Sequence, residues 1–112
     1  MIYHNKFGNG SKKIIVGIHG WGGTNNTFLP IQKKLNDEFA MINFDLPGYG
    51  KSKKPTIWNL ENIVDSLADE INKITSQEID ILGNCSGALI SILLSKSKKL
   101  KVSNLYLIDP FS

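Results

Sequence analysis

The 112-residue chain has one cysteine and two histidines, and neither histidine lies beyond position 19. A single cysteine cannot close an internal disulfide, so a reducing, cytoplasmic setting is expected. Two scattered histidines and one cysteine have no metal-ligand spacing, and neither a metal nor another cofactor is expected. No apolar run is long enough to span a membrane, and the first six residues lack the apolar stretch of a secretory leader. Charge of one sign is also scarce: the net charge is +3. Lysines gather at 51–54 and 96–101 beside expected loop or helix ends. No aromatic residues interleave with them, so they read as solvated surface rather than a nucleic-acid contact.

The length bounds the chain to one domain with a modest core. Short apolar runs alternate with helical patterns. Residues 3–9 offer a first strand, broken by Gly8, Asn9 and Gly10. Ile14–Ile18 is β-branched and apolar on both faces, as central parallel strands are. Thr24 or Asn25 is expected to cap a helix running to about Leu35, with Pro30 near its first turn. Phe39–Phe44 is the next strand. Leu60, Ile63, Val64, Leu67, Ala68, Ile71 and Ile74 follow at three-and-four spacing, the stripe of a helix opened by Asn59 or Thr56 and packed on a sheet. Strands at Ile79–Leu82 and Leu105–Ile108 enclose a helix ending near Ser95. The alternation predicts an α/β fold with a mostly parallel sheet flanked by helices. Ligands on such sheets bind at the carboxyl ends of the strands. The loops at His19–Gly23, Asp45–Ser52, Cys85 and Asp109 all fall there.

Cys85 stands at the centre of Gly83-Asn84-Cys85-Ser86-Gly87, between an apolar strand and an apolar helix. In that setting a glycine-flanked nucleophile sits on a tight turn with its side chain lifted out. Ser86 does not fit the pattern, because Asn84 and Ala88 occupy the positions of its glycines. A helix N-terminus favours an anionic nucleophile at its mouth. Attack on an acyl carbonyl creates an oxyanion, which needs fixed donors. The backbone N–H of Ser86 is one. The N–H of Trp21 is a second if the strand before His19 neighbours the strand before Cys85. Gly20, Gly22 and Gly23 permit the close backbone approach this requires. His19 reads as a brace for the glycine turn rather than a base, and Asp45 as a carboxylate fixing its own loop through backbone N–H groups. Asp109 either orients a base or simply ends its strand before Pro110. Gly50-Lys51-Ser52 is not the end of a phosphate loop, since Asp45 replaces the required glycine and Pro55 interrupts the helix such a loop opens.

His19-Gly20-Trp21-Gly22, Asp45-Leu46-Pro47-Gly48-Tyr49-Gly50-Lys51-Ser52, Gly83-Asn84-Cys85-Ser86-Gly87 and Leu107-Ile108-Asp109-Pro110 together resemble the α/β-hydrolase family. The motifs occur in that family's order and cover the chain from Lys13 onward. The His-Gly-Trp-Gly form is similar to that of carboxylesterases acting on acyl methyl esters. The resemblance implies Cys85 as nucleophile, Trp21 and Ser86 as oxyanion-hole donors, and His19, Gly20, Gly22, Asp45, Gly83 and Gly87 as structural support. It also implies Asp109 as a candidate acid. Two features depart from the family pattern. Cysteine replaces the usual serine, as in dienelactone hydrolases and polyhydroxyalkanoate synthases, and the family's base histidine, which follows later strands, has no counterpart in residues 1–112.

The expectation is therefore a truncated α/β-hydrolase core domain over residues 1–112, from an ester or thioester hydrolase with a small acyl substrate. On its own the chain is expected to be inactive or very weak. Two alternatives stand beside this one: a non-catalytic remnant that binds a ligand or partner chain, and a cysteine-dependent acyltransferase. Leu105–Ile108 is expected to form an apolar open edge available to a partner chain or a second copy.

Overall fold

A computed structural model describes residues 2–8, 13–35 and 39–110. Five strands, β1 (His4–Phe7), β2 (Lys13–Ile18), β3 (Phe39–Phe44), β4 (Ile79–Asn84) and β5 (Val102–Ile108), form one sheet in the order β1-β3-β2-β4-β5. β1 runs antiparallel to β3, and every other pairing is parallel. Asn9 and Gly10, expected in the turn after the first strand, lie outside the described residues. Among the described residues no helix is long and apolar enough to cross a membrane.

Strand periodicity divides the core into two layers. Val16, Ile18, Ile42, Phe44, Ile79 and Ile81 face helices α2 (Leu60–Ile74) and α3 (Ser86–Ser95). Ile15, Met41 and Leu82 face the other way, against Phe28 and Leu35. The expected stripe on α2 is the one that packs: Ile63, Leu67, Ala68 and Ile71 are buried. Asn59 caps this helix, its side chain accepting the Asn62 N–H at 2.7 Å. On the opposite layer the carboxylate of Asp80 lies between Lys13 on β2, at 3.3 Å, and Asn104 on β5, at 3.1 Å.

One expected element is much shorter than its pattern suggests. Neither Thr24 nor Asn25 caps a helix; α1 is a single turn, Leu29–Gln32, preceded by Phe28 and started by Pro30. Asn25 is held elsewhere, with both its backbone N–H and its amide donating to Asp45 across the carboxyl end of the sheet. The expected neighbour relation of the other strands is present. Ile18 pairs with Phe44 on one side and Gly83 on the other, and Asn84 pairs with Ile108. The loops that follow β2, β3, β4 and β5 therefore leave the sheet at one level. β5 is an edge strand, with Tyr106 at 49%, Leu107 at 37% and Ile108 at 38% exposure.

Leu67 is fully enclosed between α2 and the sheet. Leu67→Ala is expected to lower the unfolding free energy by about 2–5 kcal/mol, as read from urea denaturation. Leu89→Ala, on the exposed side of α3, is expected to change it by less than about 0.5 kcal/mol.

Candidate active site

Cys85 alone connects the end of β4 to the start of α3. Its φ of 54° and ψ of −122° lie in a region that residues with a Cβ rarely adopt. Two backbone bonds hold it there: its N–H donates to the Ile108 carbonyl on β5 at 3.0 Å, and its carbonyl accepts from the Ala88 N–H at 3.0 Å. The side chain is half-buried, and the thiol lies 3.4 Å from Asn84 Oδ1. Gly83 and Gly87 make this turn sterically possible. A Cβ on Gly87 would stand 2.4 Å from the carbonyl oxygens of both Ile18 and His19, and one on Gly83 would stand 2.3 Å from Ser91 Oγ. Helix α3 thus sits directly on β4 and on the end of β2, with Ser91 Oγ donating to the Gly87 carbonyl at 2.7 Å.

The loop after β2 packs against the elbow. A Cβ on Gly20 would lie 3.0 Å from Asn84 O and 3.0 Å from Cys85 Cβ. The peptide joining Gly20 to Trp21 is held from both sides. The Gly20 carbonyl accepts from His19 Nδ1 at 2.6 Å and from the Gly23 N–H at 2.9 Å. The Trp21 N–H points toward the elbow and donates to Ser86 Oγ at 2.7 Å. Gly22 turns the chain with φ 84° in open space. The Trp21 indole is 54% exposed and stacks on Tyr49, with centroids 5.7 Å apart.

His19 is 1% exposed and links two loops. Its Nδ1–H donates to Gly20 O, and its Nε2 accepts the Leu46 N–H at 2.9 Å. Those partners require the neutral ring with its proton on Nδ1. Burial pushes the imidazole below its ordinary value, against smaller opposing effects of the Gly20 bond and the Asp45 charge. Asp45 is fully buried and accepts the Asn25 N–H at 2.6 Å, the Asn25 amide at 2.9 Å and the Lys51 N–H at 2.9 Å. It binds its own loop to the β2 loop, a wider reach than the sequence pattern indicates.

Asp109 follows β5 beside the elbow, with φ 47°. Trp21, Ser86, Cys85 and the supporting glycines are gathered at one place, and Asp109 comes directly after the neighbouring strand. His4 does not join them: it lies on β1, and β3 and β2 separate that strand from β4. A cavity of about 750 Å³ lies between the start of α2 and the end of α3, lined by Ile57, Leu60, Val64 and Leu93 but by none of the elbow residues. No cluster of three metal-ligating side chains occurs among the described residues. The contacts that sequence reasoning missed are the Ser86 hydroxyl on Trp21 N–H, the Tyr49 stack and the Asn25–Asp45 link. No periodicity or spacing signals them, because each joins side chain to loop across different strands.

The family model for the alpha/beta hydrolase fold matches residues 13–112. The chain is 30% identical over 101 residues to a pimeloyl-[acyl-carrier protein] methyl ester esterase of Neisseria meningitidis, covering 90% of this chain and 31% of that protein. It is 28% identical over 105 residues to a proline iminopeptidase of Heyndrickxia coagulans, covering 91% of this chain and 36% of that one. Among solved structures, an esterase from Exiguobacterium antarcticum superposes with a TM-score of 0.83 at 28% identity, covering 95% of this chain and 40% of its own. The chain thus spans well under half the length of each of these proteins.

A buried neutral His19 makes stability pH-dependent. The unfolded ring takes up a proton near its ordinary value of 6.5, while the folded ring resists protonation. The stability it contributes is present above that value and is lost as pH falls through the lower folded value. His19→Asn is expected to lower stability at pH 7 by about 1–3 kcal/mol, the worth of its two hydrogen bonds. It is also expected to flatten the fall in melting temperature between neutral and acid pH, as measured by thermal unfolding across that range.

Proposed function

The chain belongs to the alpha/beta hydrolase fold family, and from that premise we propose that it is the nucleophile-bearing part of an acyl hydrolase that attacks ester or thioester carbonyls through Cys85. The observation that supports this most directly is the strained backbone of Cys85 at the start of α3, with the Trp21 N–H aimed at the same turn. Strain of this kind costs about 1–3 kcal/mol and persists where the surroundings enforce it, characteristically at active sites.

The Cys85 thiolate adds to the acyl carbon. The oxyanion that forms is met by the N–H groups of Ser86 and Trp21. Its collapse breaks the bond to the leaving group, expels it as alkoxide or thiolate to be protonated by water, and leaves a thioester on Cys85. His19 and Asp45 hold the donor loop and take no proton. His19 cannot act as base, because both ring nitrogens are engaged and one of them anchors Leu46. Hydrolysis of the thioester therefore draws on a base other than His19, with Asp109, just after the adjacent strand, as the acid candidate. The similarity to methyl ester esterases favours an acyl ester as substrate, and a sequence with one cysteine, which cannot close an internal disulfide, favours a reducing, cytoplasmic setting.

A second reading, a non-catalytic chain that holds a partner at its edge, is favoured by the exposed Tyr106, Leu107 and Ile108 on β5. The acyltransferase reading shares the Cys85 acylation step and differs only in what accepts the acyl group.

Acylation separates the catalytic readings from the binding one. With p-nitrophenyl acetate the chain is expected to release one equivalent of p-nitrophenolate and gain one acetyl group on Cys85, as seen by intact mass. Relative to its rate with iodoacetamide, acylation is expected to exceed that of free cysteine by about 10²-fold or more, the effect of oxyanion donors. Cys85→Ala is expected to abolish the adduct. Absence of the adduct in the unsubstituted chain would favour the partner-binding reading.

A further inference from the structure

The Trp21 N–H already has a partner. Ser86 Oγ accepts it at 2.7 Å, within the range of a good neutral hydrogen bond. The peptide does not depend on that bond for its orientation. Its carbonyl end is held by two donors, His19 Nδ1 and the Gly23 N–H, and Gly20 is wedged against Asn84 O and Cys85 Cβ. The Ser86 hydroxyl therefore acts mainly as an occupant. One N–H cannot donate fully to two acceptors, so an acyl oxygen reaching for Trp21 must displace the hydroxyl.

We infer that Ser86, through its side chain, keeps the Trp21 donor occupied at rest and releases it only to an oxyanion. This rests on the reading of Cys85 as nucleophile. A neutral carbonyl oxygen is no better an acceptor than a hydroxyl and does not displace it. A charged oxygen forms hydrogen bonds about twice as strong, and it wins the N–H as negative charge develops. The hydroxyl then swings away by rotation about a single side-chain bond. The device confines one donor's contribution to the transition state, which is where binding accelerates a reaction. Ser86 is thus a positioning residue with two separate parts: its backbone N–H faces the oxyanion, and its hydroxyl governs the availability of the other donor.

The test compares two reactions of the same sulfur in the 112-residue chain. Acylation by p-nitrophenyl acetate forms the C–S bond, moves the carbonyl electron pair onto oxygen, and then returns it as p-nitrophenolate leaves. It passes through an oxyanion and needs no added proton donor. Alkylation by iodoacetamide displaces iodide with no oxyanion, so it reports only the reactivity and accessibility of Cys85. The ratio of the two second-order rate constants isolates the donors.

Ser86→Ala is expected to raise this ratio about 2- to 10-fold, by removing one competing hydrogen bond. Ser86→Gly is expected to raise it likewise, which guards against a folding defect in either variant. Ser86→Thr, which restores an acceptor, is expected to bring the ratio back down toward that of the unsubstituted chain. A ratio that is unchanged or lower in both Ser86→Ala and Ser86→Gly would overturn the inference while leaving Cys85 as nucleophile. Failure of the unsubstituted chain to acylate at all would overturn both.

Discussion

The contact between helix α3 and the end of strand β2 is the constraint on which the rest of the site depends. Gly87 rests over the Ile18 and His19 carbonyls with no room for a Cβ. That contact sets the height of the helix start against the loop after β2. With the helix at that height, Ser86 Oγ reaches the Trp21 N–H, and Cys85 must cross from strand to helix in a single residue with positive φ. The strain is sustained by packing away from the turn. Ile90 and Leu94 on α3 are fully buried against Val16, Ile18 and Ile81. Burying an aliphatic side chain contributes about 1.5–3 kcal/mol, so two such residues outweigh a strained dihedral costing about 1–3 kcal/mol.

The loops around the elbow have little regular structure, yet their polar groups are tied to one another. Asp45 accepts three donors from two loops. His19 spans the same pair of loops with a ring that is neutral because it is buried. A charged ring would carry a proton on Nε2, where it would face the Leu46 N–H donor. The low affinity of His19 for a proton is thus a condition for the loops to stay joined. A backbone N–H in a loop held in this way keeps its own direction when its acceptor changes, which is the kind of fixed donor that electrostatic stabilisation of an oxyanion requires.

The fold was legible where one element's pattern is local. The three-and-four stripe marks the buried face of α2, and Asn59 is one of the two caps the sequence offers. The apolar runs mark β2, β3 and β4, and the four loops fall at the carboxyl ends that alternation predicts. What was not legible depends on distant partners. The helix expected from Thr24 shrinks to one turn because Asn25 is claimed by Asp45, twenty positions away. β5 begins at Val102, before its apolar run, because pairing with Ile79 extends it backward over polar residues. The glycine-flanked cysteine is readable from spacing alone, but the partner of the Trp21 N–H is not, since Ser86 shows only as the residue after the candidate nucleophile.

The same geometry divides the proposed chemistry into two unequal halves. Attack by a thiolate needs a reactive sulfur, donors for the oxyanion and a leaving group. In the proposed reading residues 19–23 and 83–87 supply the first two, and the substrate supplies the third. Release of the acyl group needs a second nucleophile and something to take its proton. Neither ring nitrogen of His19 is free for that task, and His4 sits on the far edge strand. Hydrolase and acyltransferase readings therefore coincide up to the thioester and part only afterwards. If water is activated above Trp21 the acyl group is hydrolysed, and if another hydroxyl, amine or thiol is presented there it is transferred. What decides between them is which acceptor reaches the thioester beside the stacked rings of Trp21 and Tyr49.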